Sequence, residues 1–124
     1  MGTAQITLRL DWDLGVSKGS LPHNFAEALP VALAGTRLVH NVQEVGLGKE
    51  PLFLGDVGPG GLLVARNNDD TNYVTIAPGI DPAAIPLARL LPGDICLLRV
   101  DNGSLPYVAA AVAPCELEYW LFEP

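Results

Sequence analysis

Between residues 52 and 76 the chain reads Leu-Phe-Leu, Gly-Asp-Val-Gly-Pro-Gly-Gly, Leu-Leu-Val-Ala-Arg, Asn-Asn-Asp-Asp-Thr-Asn, Tyr-Val-Thr-Ile: apolar runs of strand length, each cut off by turn chemistry. A helix needs ten or more residues of uninterrupted periodic sequence, and these breaks leave no room for one. Short runs rich in Val, Ile and Leu, bounded by Gly, Pro and Asx residues, are strands. A chain written this way builds sheets.

The rest of the sequence follows the same rule. Residues 5–12 alternate, with Ile6, Leu8, Leu10 and Trp12 on one face and Thr7, Arg9 and Asp11 on the other, as a half-buried strand does. In residues 14–36, Gly15, Gly19, Pro22 and Pro30 break the pattern, and the segment reads as loop with or without a short strand. Within it, Asn24-Phe-Ala-Glu27 has the form of a capping box opening one helical turn, which Pro30 would stop. Residues 37–45 form a second alternating strand, with Leu38, His40 and Val42 opposed to Val39 and Asn41, and residues 52–54 a short third one. Residues 62–66 and 73–77 flank the Asx-rich loop 67–72 and are expected to pair as a hairpin. Pro86 places a strand over 85–90 at a sheet edge. Strands over 95–100 and 107–112 flank Asp101-Asn-Gly-Ser104, which reads as a hairpin turn. In the last strand, 115–123, Glu116, Glu118, Trp120 and Phe122 share one face and Leu117, Tyr119 and Leu121 the other.

Eight or nine such strands predict an all-β fold, a two-layer antiparallel β-sandwich of jelly-roll type. With 124 residues the chain is expected to form one domain over 1–124, with 14–36 as its loop-rich segment. Hydrophobic residues make up 49% and charged ones 17%, which is thin polar cover for a solitary monomer and points to surface buried against partners. The first residues carry no basic stretch followed by an apolar run, and nothing approaches the roughly 18 apolar residues of a membrane span, so the expectation is a protein made inside the cell without membrane contact.

Several chemistries are disfavoured. Acidic residues number 14 against 7 basic ones, and Arg9, Lys18, Arg37, Lys49, Arg66, Arg89 and Arg99 are scattered, whereas nucleic-acid binding needs converging cations. Ser17, Ser20 and Ser104 sit in no nucleophile-elbow pattern, and His23 and His40 lack a metal-ligand spacing. His40 reads as a packed or interface histidine, and Cys96 and Cys115 as buried free thiols rather than a disulfide. Gly46-Leu-Gly48-Lys49 is followed by Glu50 where a phosphate loop needs Ser or Thr. Asp11-Trp-Asp13 and Asn68-Asp-Asp70 offer oxygen ligands but complete no calcium loop, so solvated acidic turns are expected. Glu116 and Glu118, about 7 Å apart along a strand, read as a polar face or subunit contact before an acid–base pair. The expectation is no catalysis, no cofactor and no metal.

The succession Gln43-Glu-Val45, Glu50-Pro-Leu-Phe-Leu-Gly-Asp-Val57, Gly61, Arg66-Asn67, Asp70-Thr-Asn72-Tyr-Val74, Leu90-Leu-Pro-Gly-Asp94, Tyr107 and Leu117-Glu-Tyr119 resembles a group of small virion proteins of tailed bacteriophages. The likeness spans residues 37–121; Asp94 stands where those proteins carry Glu, and Gly-Pro-Gly-Gly before Leu62 is additional. The resemblance implies a capsid decoration, or cement, protein: a small β-sandwich on the outer head surface, often a homotrimer, bridging neighbouring major capsid proteins. A tail or baseplate component, or a host-surface-binding module of the same fold, is the alternative. A cupin-type enzyme would need His-x-His ligands, and the chain has none. Loops conform to foreign surfaces while a sandwich holds their ends, so residues 15–35, 58–61 and 67–72 are expected at the contacts. The partner-contact candidates are Lys18, Phe25, Pro59, Asn68, Asp69, Asp70, Trp120 and Phe122. A carbohydrate reader would draw its aromatic platform from Trp120 and Phe122, or from Trp12.

Overall fold

The computed structural model describes the backbone of residues 2–12 and 23–33 and, in full, residues 35–79, 81, 83–101 and 103–123. Among these there is no helix, and the chain divides into two compact units, residues 1–33 and 34–124.

The first unit is an antiparallel ribbon of β1 (Gly2–Trp12) and β2 (His23–Leu33), paired from Gly2 with Leu33 to Trp12 with His23. The segment expected to be loop with a capping box thus contains a full strand. Asn24 and Glu27 are both in β2, and Pro30 sits opposite Gln5. A two-stranded ribbon is all edge, so every second main-chain N–H points away from the partner and a proline there removes no ladder bond. The remainder of that expected loop, residues 13–22, lies outside the described residues.

The second unit holds β3 (Leu38–Val45), β4 (Glu50–Pro51), β5 (Gly61–Asn67), β6 (Val74–Ala77), β7 (Ala88–Leu90), β8 (Ile95–Val100), β9 (Tyr107–Ala110) and β10 (Cys115–Phe122). They form two four-stranded sheets, β3-β10-β5-β8 and β4-β9-β6-β7, with every pairing antiparallel. The pairs β3–β10, β4–β9, β5–β8 and β6–β7 are nested, as in one long hairpin folded at residues 78–87. Rolling that hairpin up adds the pairs β10–β5 and β9–β6. This is jelly-roll connectivity, two Greek keys wrapped into a sandwich.

Nesting overturns two of the expected hairpins. β5 and β6 belong to different sheets, as do β8 and β9, so residues 68–73 and 101–106 carry the chain across the sandwich. Turn chemistry reverses a chain without choosing its partner. The choice is made by burial: β5 is the most buried strand of its sheet at its start, and β10 and β8, each longer than β6, flank it on its two edges. The strand expected at 52–54 is instead the short β4, and the edge strand expected at 85–90 contracts to β7, which is indeed the outer strand of its sheet.

Inward residues of the two sheets meet in one core. Val45, Leu63, Ala65, Val100, Cys115, Leu117, Tyr119 and Leu121 come from the first sheet, and Val74, Ile76, Leu90, Val108 and Ala110 from the second. Leu52 and Val57, from the 52–60 connection, close one end. The inward face of β3 also brings amides. Gln43 Nε2 donates to Glu50 Oε1 at 2.9 Å and to the Pro51 carbonyl at 3.2 Å, and Gln43 Oε1 accepts from the Phe53 N–H at 3.1 Å. The buried Tyr119 hydroxyl donates to the Phe53 carbonyl at 2.6 Å and accepts from Asn41 Nδ2 at 3.2 Å. Burial raises the Tyr119 pKa above its ordinary value. These bonds tie the first sheet to the start of the second.

Candidate functional site

Strand register composes the outer face of the β3-β10-β5-β8 sheet in rows: Leu38, Phe122, Leu62, Arg99; then His40, Trp120, Val64, Leu97; then Val42, Glu118, Arg66, Ile95. The solvated face of an antiparallel sandwich is normally polar. Here Leu38 is 52% exposed, Val42 45%, Ile95 64% and Leu97 39%. These residues adjoin Phe122, Trp120, Leu62 and Val64 in the rows, so that the outward face is largely apolar across the four strands.

One polar device interrupts the face. The His40 imidazole stacks on the Trp120 indole, ring centroids 4.7 Å apart and planes within 2°, as cross-strand neighbours can. His40 Nε2 lies 2.8 Å from Glu118 Oε2, while Glu118 Oε1 accepts from Asn68 Nδ2 at 3.3 Å. The hydrogen bond from His40, then that from Asn68, hold the Glu118 carboxyl below its ordinary pKa. Glu118 thereby fastens the 68–73 connection to the sheet.

That connection is built by two Asx side chains. Asn67 is fully buried, and its amide donates to the carbonyls of Asn72 at 2.9 Å and Leu90 at 3.0 Å while its Oδ1 accepts from the Asp69 N–H at 2.9 Å. Asp69 Oδ2 accepts from the N–H groups of Asn72 at 2.6 Å and Thr71 at 2.9 Å, and these bonds lower its pKa. The Asn67 backbone also exchanges bonds with the neighbouring Pro-Gly-Asp turn, N–H to the Asp94 carbonyl at 3.0 Å and carbonyl to the Gly93 N–H at 2.9 Å. Between these loops lies an open polar depression of about 470 Å³, lined by residues that include Arg66, Asn68, Asp70, Gly93 and Glu118.

The structure places five of the expected contact residues on the outer face of one sheet of the second unit and on the loop at its end. Trp120 and Phe122 stand on the sheet face, and Asn68, Asp69 and Asp70 rise beside Glu118 at its end. Pro59 is exposed but precedes the start of β5, whereas 68–70 follow its end, about 20 Å away by strand rise. There its carbonyl accepts from the Gly103 N–H at 3.4 Å. Phe25 is in β2, opposite Leu10, and Lys18 lies outside the described residues. His40 covers one face of the Trp120 indole. Asp69 spends its carboxylate on its own loop, as a solvated turn does, and the described residues hold no group of three or more His, Cys, Asp or Glu placed for a metal ion.

Sequence reasoning missed the outward Val42, Ile95 and Leu97. In β8 the run Ile-Cys-Leu-Leu-Arg-Val is apolar except for Arg99 and shows no alternation, so nothing in it signals that its odd-numbered residues are exposed. It also missed that His40 and Glu118 meet, a pairing set by the β3–β10 register alone. Cys96 and Cys115 are free thiols, and burial raises the pKa of both. No protein-family model, no curated protein and no solved structure matches the chain.

Proposed function

We propose that this protein is a capsid decoration protein of a tailed bacteriophage, binding the outer surface of the head and bridging major capsid proteins without catalysis. The carrying observation is the apolar outer face of the β3-β10-β5-β8 sheet, bordered by the hydrogen-bonded loops at residues 68–73 and 91–94. Such a face gains free energy from being covered by protein, and on a shell small contacts repeated by symmetry add up through avidity. The jelly roll and the motif succession over residues 37–121 support the same reading, and self-association as a homotrimer is part of it.

The experiment is cryo-electron microscopy of particles containing this chain, paired with occupancy of the variant Val42→Lys/Leu97→Lys. Density over the junctions between major capsid subunits, with occupancy lost in the variant, is the expected result. Density on the tail, absence from particles, or full occupancy of the variant would overturn the proposal.

A further inference from the structure

We propose that the Glu123 carboxylate is a clasp that joins the two ends of the second unit and keeps the Arg37–Leu38 peptide bond closed to proteases that cut after arginine. The unit starts at residue 34, and the first residue of β3, Leu38, pairs with Phe122. Residues 35–37 therefore precede every strand of the sandwich, where a chain end normally frays. Here they are held. Glu123 Oε2 accepts from two successive main-chain N–H groups, Thr36 at 2.8 Å and Arg37 at 3.1 Å, and the Glu123 N–H donates to the Arg37 carbonyl at 2.9 Å. Successive N–H groups converging on one oxygen cradle an anion, and bonds to a carboxylate are roughly twice as strong as neutral ones. Arg37 Nη1 donates to the Asp56 carbonyl at 3.0 Å, so the side chain that a protease has to seat is tied down as well.

Gly35 supplies the second observation. A Cβ built on it would collide with the Glu123 carboxyl, so the carboxylate lies directly against the main chain at this point. The clasp has room to close only because no side chain stands there.

The bond it closes differs from the other basic positions of the unit. Arg66, Arg89 and Arg99 lie within β5, β7 and β8, and Lys49 Nζ donates to the carbonyls of Asp81 and Ala84. Thr36, Arg37 and Leu38 are all exposed. A protease takes its substrate as several residues of open, extended chain, and this segment supplies them only by a local opening in which Glu123 lets go. Hydrolysis then adds water across the Arg37–Leu38 bond, leaving a carboxylate on Arg37 and an amine on Leu38. The cut severs residues 1–37 and leaves β3 to β10 on one unbroken chain. The clasp works in this way whether or not the protein sits on a capsid.

The test treats the full chain with trypsin under native conditions and follows each cut by mass spectrometry, with amide exchange as a second readout. In the parent, the Thr36 and Arg37 amides should be protected. Glu123→Ala should speed cutting after Arg37 about tenfold, which is roughly 1.4 kcal/mol of easier opening where cleavage tracks the open population. It should also strip protection from those two amides, while cuts after Arg66, Arg89 and Arg99 keep their parent rates. Gly35→Ala should do the same by pushing the carboxylate aside, and it decides alone if Glu123→Ala fails to fold. Parent amides that exchange freely, cutting after Arg37 at the parent rate in the variant, or rates that rise together at all four arginines would overturn the proposal.

Discussion

Asn67 has no solvent, and its side-chain amide is met on every side by main-chain groups of residues 69, 72 and 90. Removing it strands buried polar groups, each costing about 1–3 kcal/mol, so Asn67→Ala should destabilise the fold by about 2–4 kcal/mol in urea unfolding. Asn68→Ala, which loses one long bond to Glu118, should stay within about 0.5 kcal/mol of the parent. Glu118 makes a pH prediction. Its folded pKa lies below the ordinary 4.5, so its contribution is present above that value and is lost as pH falls through the lowered one. Glu118→Gln should therefore melt lower than the parent at pH 6, and the two melting curves should converge as the pH drops below 4. A gap that is constant across this range would show that the His40–Glu118–Asn68 bonds do not feel the carboxylate charge. The turn-forming character of Asn67 and Asp69 was legible in the sequence, because Asx side chains are known to bond nearby main chain. That Asn67 also reaches the Leu90 carbonyl was not, since nothing local links residues 67 and 90.

At the scale of elements, period-two alternation read true wherever one face of a strand is buried and the other wet. β10 is the clearest instance, with Leu117, Tyr119 and Leu121 buried and Glu116, Glu118, Trp120 and Phe122 outward. It failed in β8, whose wet face is apolar, and in β2, where Asn24, Glu27 and Pro30 mimic a capped turn stopped by proline. Turns were found at the right places and given the wrong partners. The 52–60 connection shows what a turn residue does here. Gly55 takes a φ of 57°, and a Cβ built on it would stand 2.7 Å from Val39 Cγ2. Gly55→Ala combines left-handed strain with a clash against a core-packed valine, and should cost about 1–2 kcal/mol from the backbone alone. At Gly93, with φ 82° and open space around it, alanine meets only the strain. Urea melts that show the Gly55 variant no worse than the Gly93 variant would mean that Val39 gives way freely.

For the whole molecule, nested pairing is the governing fact. β3 must find β10 across nearly the entire second unit, and within that unit only β6 and β7 are neighbours in both chain and sheet. Such distant partners are invisible to a reading that moves along the chain, which is why the two-layer all-β class was legible and the sheet orders were not. The residues that carry the resemblance to virion proteins now have architectural roles: Gln43, Glu50 and Tyr119 in the inter-sheet hydrogen bonds, Asn67 and Asp94 in the loop pair. They describe the scaffold, whereas the exposed apolar face is written in residues the motifs skip, such as Val42 and Leu97. Closing the roll spends loop entropy before its contacts form, so refolding should be slow, in the millisecond-to-second range of non-local β folds. The core residues named above all belong to the second unit, whereas a two-stranded ribbon is marginal in water by itself. A fragment of residues 34–124 should therefore unfold in one cooperative transition with refolding on that timescale, and a peptide of residues 1–33 should show no such transition. Loss of cooperativity in the fragment would mean that the ribbon is needed to complete the jelly roll, and a microsecond refolding phase carrying the full amplitude would mean that the nested pairs do not form from distant segments.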